Sequence, residues 1–500
     1  MTGMTHTRSA SSALPASLVC IALCMAAMLW VFALNGNPLF YYDSLDYVLR
    51  GSKALALVLP DSWLRDPLAE AERLSGAAIV RPEATDHLVN ASRSIVYSML
   101  MAGFYQLHLQ SWFPLFHAAC VLAVIWVATR VLLRARGVER PALPVLVVPF
   151  LVAGLGSMPF YVGYLMPDIF AALILLSAGV ITLHGNRMVW GEWLILLAIS
   201  GIGVLSHPSH LLLSAAMLPG AALVGWVASR PGARGGAVLG PLFLICLVAL
   251  AVTERLAFIS TVKTVQKQEV IYYPFLTARM IADGPGLRYL QDNCPDVAIP
   301  TCLLNDALQG SDDPMRLTAT HIIFATEPRI ASFRLLSSQD QKKVADAQVD
   351  FARAVALDRP AEVLGAIVRN TGVQLLMNGV DMTVPDQSLV EKTAPGYPWL
   401  EPSRLSHWRG WLVYADPAQA VLNGVAALLL VAVVLWPGRF TRTERCLAVF
   451  VLMGVLANAF VCGAISQPAT RYGARVIWLL PLVATFLLVL QGRLGKGRAR

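Results

Sequence analysis

Residues 193–229, WLILLAISGIGVLSHPSHLLLSAAMLPGAALVGWVAS, contain no Asp, Glu, Lys or Arg. A helix that crosses a membrane needs about 20 mostly apolar residues, so this stretch is long enough for two crossings. Pro208 lies in the polar sequence SHPSH at 206–210 and separates the two, because proline disfavours a continuous helix. The stretch therefore predicts two membrane helices joined by a short turn that contains two histidines.

Charge-free stretches of this kind recur along the chain and account for its composition. The 500 residues are 56% hydrophobic and 14% charged, whereas a soluble domain typically carries about 25% charged residues. So much apolar surface requires lipid, or other lipid-embedded helices, around it. The sequence thus predicts an all-α polytopic membrane protein of about ten helices. We place these helices at residues 15–34, 112–133, 142–160, 169–185, 189–206, 210–229, 236–254, 418–437, 446–465 and 475–491.

The distribution of charge predicts which side of the membrane each loop occupies. With the N-terminus inside, the inner loops and tails carry 15 basic and three acidic residues, while the rest of the chain carries 24 basic and 28 acidic residues. Because basic residues favour the cytoplasmic side, we expect both termini to be cytoplasmic, in a bacterial-type inner (plasma) membrane. Topology then explains the net charge of +8, and we expect no nucleic-acid partner. The basic residues assigned to the inside are Arg8, Arg130, Arg134, Arg136, Arg140, Arg187, Arg230, Arg234, Arg439, Arg442, Arg445, Arg493, Lys496, Arg498 and Arg500.

Two hydrophilic segments, 35–111 and 255–417, face outward in this arrangement. The first contains an apolar run at 94–109, and a crossing there would move the arginines at 130–140 to the outside. We therefore interpret 94–109 as a helix at the outer interface, or as part of a re-entrant hairpin. The second segment has the length of a small periplasmic domain. The predicted organisation is a cytoplasmic tail and first helix at 1–34, a first outer loop at 35–111, helices two to seven at 112–254, the periplasmic domain at 255–417, helices eight to ten at 418–491 and a basic cytoplasmic tail at 492–500.

Two of the eight cysteines, Cys294 and Cys302, lie outside the predicted spans and their ends. In an oxidising compartment, two cysteines eight residues apart favour a disulfide, although two free thiols fit the same sequence. Too few ligand side chains cluster nearby for a metal site.

Ionisable residues gather just beyond the outer ends of the predicted helices, and we expect them to converge on one cavity at the outer membrane surface. Arginine binds phosphate oxygens in a fork, and a carboxylate can act as a general base, so such a cavity suits an anionic lipid-linked substrate. Structural roles also fit: Asp168 can cap the following helix and Arg93 can anchor a surface helix. The candidate residues are Asp43, Asp46, Arg93, Asp168, His207, His210, Arg471 and Arg475.

The sequence NPLFYYDSLDY at 37–47 directly follows the first helix. It resembles the acidic motif Asp-Glu-x-x-Tyr in the first outer loop of the GT-C membrane glycosyltransferases, the class that includes the protein O-mannosyltransferases and the lipid A aminoarabinose transferase. Asp43 and Tyr47 match this motif. Ser44 stands at the position of the Glu, and Asp46 is the second carboxylate nearby.

Two later motifs extend the resemblance over roughly 35–230 and 418–491. RSIVY at 93–97 is similar to the Arg-x-Pro-x-Tyr motif that opens an interfacial helix in this class, with Arg93 and Tyr97 in place and no Pro. Arg471-Tyr472 resembles the late Arg-Tyr pair at the outer start of a C-terminal helix.

The resemblance implies a GT-C-like fold and an inverting glycosyltransferase on the periplasmic face. A sugar would pass from a polyprenyl-phosphate donor in the membrane to a glycan, lipid or protein acceptor. Asp43, with Asp46, would be catalytic, and Arg93, Arg471 and Arg475 would hold the donor phosphate. Some relatives use a divalent metal and others do not, and no spacing here implies a metal or another cofactor. The remaining pocket residues would be Tyr47, Tyr97, Asp168, His207, His210 and Tyr472.

Other functions remain open from the sequence. A polysaccharide polymerase or ligase also acts on lipid-linked sugars and usually depends on Arg and His residues in a large late outer loop. A lipid or glycan transporter predicts buried charges at mid-membrane depth or inverted repeats, and neither is visible in the sequence. A non-catalytic scaffold of the cell envelope is compatible with every feature above.

Overall fold

The computed structural model describes residues 13–76, 88–137, 143–229, 237–296, 298–393, 400 and 403–497. Up to the outer domain, the helices are α1 (Ala13–Asn35), α2 (Tyr42–Leu55), α3 (Pro67–Ser75), α4 (Ile95–Gln106), α5 (Phe113–Ala135), α6 (Pro144–Gly154), α7 (Met158–Val162), α8 (Ile169–His184), α9 (Trp190–Ser206), α10 (Pro208–Ala216), α11 (Leu218–Ala228) and α12 (Leu239–Thr261). The outer domain contains α13 (Phe275–Ala282), α14 (Pro285–Asn293), α15 (Asn305–Gln309), α16 (Ala319–Phe324), α17 (Ser338–Asp346), α18 (Gln348–Asp358), α19 (Pro360–Leu376), α20 (Gln387–Thr393) and α21 (Arg404–His407). The chain then continues with α22 (Leu412–Leu435), α23 (Arg442–Phe460), α24 (Thr470–Ile477) and α25 (Leu479–Gly497).

Of the basic residues used to predict orientation, six lie outside the described residues: Arg8, Arg140, Arg230, Arg234, Arg498 and Arg500.

The helical content and the long apolar helices confirm an all-α polytopic membrane protein. Within the described ranges, eight helical segments are long and apolar enough to cross a membrane. The last of them joins α24 and α25 and begins directly after the polar loop 466–469. The eight segments are Ala16–Asn35, Gln110–Ala135, Ile169–Arg187, Pro208–Ala228, Leu239–Gln266, Arg409–Leu435, Arg442–Ile465 and Thr470–Gln491.

Two further predicted spans correspond to shorter apolar helices, α6 and α9. Helix α6 has 11 residues, so at 1.5 Å per residue it is about 17 Å long. It contains Pro149. The short helix α7 follows it after a break that contains Gly156. Helix α9 has 17 residues and ends where the backbone becomes extended at His207, directly before Pro208. Proline and glycine therefore interrupt these apolar stretches. The absence of charge alone does not show where the interruptions lie.

Ion pairs join the helix ends that the charge pattern assigns to one side. Arg134, at the end of α5, donates two hydrogen bonds of 2.9 and 3.0 Å to Glu192 at the start of α9. Arg136 likewise pairs with Glu444 at the start of α23. Both glutamates are almost fully buried, which means that they contact their arginines rather than water. Loops distant in sequence thus meet at one end of the bundle.

The two hydrophilic segments predicted to face outward meet at the opposite end of the bundle, and 'outer' denotes this predicted side. Strand β1 (Leu88–Asn90), from the first outer loop, pairs in parallel with β2 (Glu269–Ile271), in the register Val89 to Val270. The outer domain has its own apolar core, formed by α13 to α19 and their connections. It begins later than the predicted residue 255, because α12 continues through Glu254 and Arg255 to Thr261.

Helix α4 coincides with the predicted apolar helix at 94–109, and it packs closely against α2. Gly51 of α2 makes this approach possible, because a Cβ at that position would lie 1.9 Å from the carbonyl oxygen of Ser98. The first turn of α2 carries Asp43, so this contact also determines where that carboxylate lies.

Gly51→Ala is therefore expected to lower the midpoint of thermal unfolding in detergent. The overpacking cost, typically about 1–3 kcal/mol, exceeds the helix-propensity gain of roughly 1 kcal/mol that alanine brings. Gly103→Ala on α4 is the matched control, since no described atom outside the backbone of its own helix lies within 4 Å of its Cβ position. An equal response of the two variants would contradict the close approach of the helices.

Candidate functional site

A cavity of about 490 Å³ lies where the outer ends of the membrane helices meet the outer domain. Asp43 and Arg93 line it from the first outer loop, and His207 lines it from the turn before α10. Arg471 and Tyr472 line it from α24. The structure therefore brings five of the predicted residues into one cavity. The remaining wall is largely apolar and includes Leu212, Phe275, Phe324, Met382, Val461 and Ile465.

Backbone pairing brings the residues after α1 next to the turn before α8. The Leu39 N–H donates to the carbonyl of Gly163, and the Leu165 N–H donates back to the carbonyl of Leu39, both at 2.8 Å. The Ser44 hydroxyl donates to the carbonyl of Leu165 at 3.0 Å and accepts from the Tyr41 N–H at 2.9 Å. Ser44, at the Glu position of the resembling motif, thus fixes the start of α2 against this turn.

Asp43 forms an ion pair with Arg93 through Oδ1 and Nη2. Its other oxygen lies 3.9 Å from Nη1 of Arg471. The side chain of Asp43 is 20% exposed, which leaves the carboxylate accessible from the cavity. The carboxylate therefore lies between two guanidinium groups that line the same space.

Arg471 and Arg475 both reach Asp168 because residues four apart lie on one face of a helix. Nη2 of Arg471 donates to Oδ2 of Asp168 at 2.7 Å, and Nη1 of Arg475 lies 3.5 Å from Oδ1. The Tyr161 hydroxyl donates to the carbonyl of Arg471. Arg475 is fully buried and also contacts Ser209 at 3.0 Å. Although Arg475 does not line the cavity, it forms part of the charged layer beneath it.

Asp168 is held ionised below the cavity. Burial alone would raise the pKa of this carboxyl, but Arg471 and Arg475 outweigh burial and hold the pKa well below its usual range. Asp168 occupies the N-cap position of α8, yet its side chain makes no capping hydrogen bond and pairs with the arginines instead. With Asp43 and Arg93, the group contains three guanidinium groups and two carboxylates, so its net charge is positive.

The two predicted histidines occupy different environments. His207 lines the cavity, and its Nδ1 accepts from the Ser209 N–H at 3.1 Å, an arrangement that requires the neutral ring. Burial, the neighbouring His210 and the charge of Arg475 hold the pKa of His207 well below its usual value. His210 is fully buried, and its Nδ1 is hydrogen-bonded to the carbonyl of Gly203 at 2.7 Å. His210 therefore supports the wall of the cavity from behind.

Three other predicted residues lie outside the cavity lining. Asp46 pairs with Arg50, one turn further along α2, at 3.1 Å, and its side chain is 44% exposed. Tyr47 and Tyr97 are fully buried, with ring centroids 4.9 Å apart, where they pack α2 against α4. These tyrosines lie behind Asp43 and Arg93, and the ion-pair partner of Asp46 is Arg50 rather than a member of the charged group.

Several lining or supporting residues were not predicted. The side-chain oxygen of Asn458 accepts from Nη2 of Arg475 at 2.8 Å and from its Nε at 3.0 Å. An asparagine inside an otherwise apolar span is itself a signal, because a polar side chain there requires a partner. Beyond it, Val461–Ile465 adopts a π-helical turn that lines the cavity, a feature often found at functional sites. Phe275 and Phe324 come from the outer domain, whose contribution to the cavity no motif indicated.

A disulfide joins Cys294 to Cys302 in the outer domain. In the part of the chain that the structure describes, no three His, Cys, Asp or Glu residues are arranged to hold a metal ion.

The chain was compared with known proteins at the levels of family, sequence and structure. No protein-family model, curated protein or solved structure matches it.

Proposed function

We propose that the chain is an inverting membrane glycosyltransferase that transfers a sugar from a polyprenyl-phosphate donor on the outer face of a bacterial-type inner membrane. The observation that supports this most is a cavity beside the predicted outer helix ends, in which a carboxylate and two guanidinium groups face an apolar wall. The combination suits a ligand with an anionic head and a hydrocarbon chain.

The apolar wall and the charged group have distinct places in this proposal. Leu212, Val461 and Ile465 belong to membrane helices or their direct extension, so they would contact the first isoprene units of the donor. Arg471 would bind the phosphate, because it borders the cavity while its partner Asp168 is fully buried. Arg475 would neutralise Asp168 and position Arg471 rather than touch the phosphate.

Asp43 is the proposed general base, because its carboxylate is accessible from the cavity. It would take the proton of an acceptor hydroxyl while that oxygen attacks the anomeric carbon. The bond between the anomeric carbon and the phosphate oxygen would break, and polyprenyl phosphate would leave with the negative charge that Arg471 stabilises. Arg93 would orient Asp43 through their ion pair.

The lining of the cavity favours this transferase over a polymerase or ligase. Within the described residues, the outer domain contributes Phe275, Thr320, Phe324 and Met382 to the cavity, and none of these is an Arg or His. The charged residues come instead from the early loop and the last span. The acceptor, whether a glycan, a lipid or a protein, would approach from the side of the outer domain.

The test is a comparison of cell-envelope glycans and lipids, by mass spectrometry, among the native host, a deletion strain and the complemented strain. We expect the deletion to lose one discrete sugar modification and complementation to restore it, and the missing mass identifies the sugar. An unchanged glycan and lipid profile in the deletion strain would contradict the transferase. The transporter and scaffold alternatives would then take precedence.

A further inference from the structure

Helix α19 leads from the outer domain to the outer end of α23. Near its start, Glu362 pairs with Arg288 and Arg359 of the outer domain. Its second half packs against α23 and the π-helical turn Val461–Ile465. The contact is close, because a Cβ on Gly463 would lie 2.6 Å from the carbonyl oxygen of Asn370. One end of α19 is therefore fixed in the outer domain and the other beside a membrane span.

The depth of this contact follows from the length of the span. The segment Arg442–Ile465 crosses from the charged inner loop, and a hydrocarbon core of roughly 30 Å takes about 20 helical residues. Counted from Arg445, the last charged residue of the inner end, the outer edge of the core falls near residue 465. Gly463, and the half of α19 that touches it, therefore lie at the level of the outer leaflet.

Beyond Arg369, the face of α19 directed away from α23 carries Gly372, Val373 and Leu376, and no described residue covers it. Leu364, Val368 and Leu376 are 62%, 64% and 86% exposed. The chain carries no charged residue between Arg369 and Asp381, so the lower half of the helix is also uncharged. Exposing leucine and valine side chains to water costs about 25 cal/mol of free energy for each Å² of apolar surface. Contact with lipid at this depth would remove that cost.

We infer that the second half of α19 lies in the outer leaflet, with this face in contact with the upper acyl chains and glycerol region of the lipids. On α23, Leu456 and Phe460, which precede the contact at Gly463 by about two turns and one turn, are 50% and 41% exposed. Arg369, whose side chain is 60% exposed, lies above the uncharged half, where its Nη2 pairs with Oδ1 of Asp283 of the outer domain at 3.4 Å. The outer domain is thus itself a membrane-contacting element, whatever reaction the cavity carries out.

The inference is tested with the full chain in nanodiscs that contain a phospholipid with a photoreactive diazirine on an upper acyl carbon. After illumination and proteolysis, mass spectrometry locates the lipid adducts. We expect adducts on Val373 and Leu376 at a level comparable to those on Leu456 and Phe460 of α23. Val349 of α18 is the control within the same domain: it is 67% exposed but lies on a helix that packs within the outer domain.

Hydroxyl-radical footprinting of the same nanodiscs supplies the complementary measurement. We expect Val349 to be oxidised and Leu376 to be protected, although Leu376 is the more exposed of the two without lipid. Lipid adducts absent from Leu376, together with oxidation as strong as at Val349, would overturn the inference. Protection of Leu376 without lipid adducts, in nanodiscs that hold two copies of the chain, would also overturn it and assign the face to a protein dimer.

Discussion

Asp43→Asn is expected to lower the rate of sugar transfer by about 10²–10⁴-fold, the usual effect of removing a general acid or base. Asparagine keeps the size of the side chain and can still accept a hydrogen bond from Arg93, but it cannot take a proton from the acceptor hydroxyl. The measurement is the rate at which the missing glycan or lipid species reappears after induction of the variant in the deletion strain.

Asp46→Asn is the matched control, because it changes the same residue type one turn away on the same helix. Its carboxylate pairs with Arg50 and does not line the cavity, so we expect a rate within about twofold of wild type, since an exposed ion pair contributes little. Both variants are compared at equal amounts in the membrane. Full complementation by Asp43→Asn, or equal losses in the two variants, would contradict the role of Asp43.

Asp168→Asn is expected to destabilise the protein by about 3–5 kcal/mol, the range for removing one partner of a buried ion pair. Arg475 is fully buried and Arg471 nearly so, and neither has a second carboxylate as close as Asp168. Two guanidinium groups would remain in a protein interior with incomplete compensation. The midpoint of thermal unfolding in detergent, measured by intrinsic fluorescence, reports the loss.

The control for this variant is Asp340→Asn in the outer domain, which changes an exposed pair with Lys343 of 2.9 Å. We expect no measurable change in the unfolding midpoint, because exposed pairs are screened by water. An Asp168→Asn midpoint equal to that of wild type would show that the buried charges are compensated by groups other than Asp168.

Much of the fold follows from the sequence because lipid imposes a simple constraint. Charge-free runs of sufficient length, such as 112–129 and 446–470, become long helices. The break at His207 and Pro208 agrees with the polar sequence SHPSH. The break at 155–157, which divides the predicted span 142–160 into α6 and α7, is less predictable, because it lies within a continuous apolar run. The pairing of β1 with β2 is not predictable from local pattern, since each strand has three residues and the partners are 181 positions apart.

The candidate site shows a similar division. The sequence places Asp43, Arg93, His207 and Arg471 at outer helix ends, and the structure brings them into one cavity. Spacing along α2 does not reveal that Asp46 pairs with Arg50 instead, because both carboxylates follow the same apolar span. The aromatic residues of the outer domain were missed for a different reason: their position depends on how that domain docks, which no local motif encodes.

The ion pair between Asp168 and Arg471 has a consequence for biosynthesis. The two residues are 303 positions apart, so at 5–20 residues per second the ribosome needs roughly 15–60 s to reach the arginine after the aspartate. During that interval α8 is already made, while both arginine partners of its N-terminal carboxylate are still to be synthesised. A nascent chain truncated before α24 would therefore present an uncompensated carboxylate at the membrane surface, which distinguishes incomplete chains from finished ones.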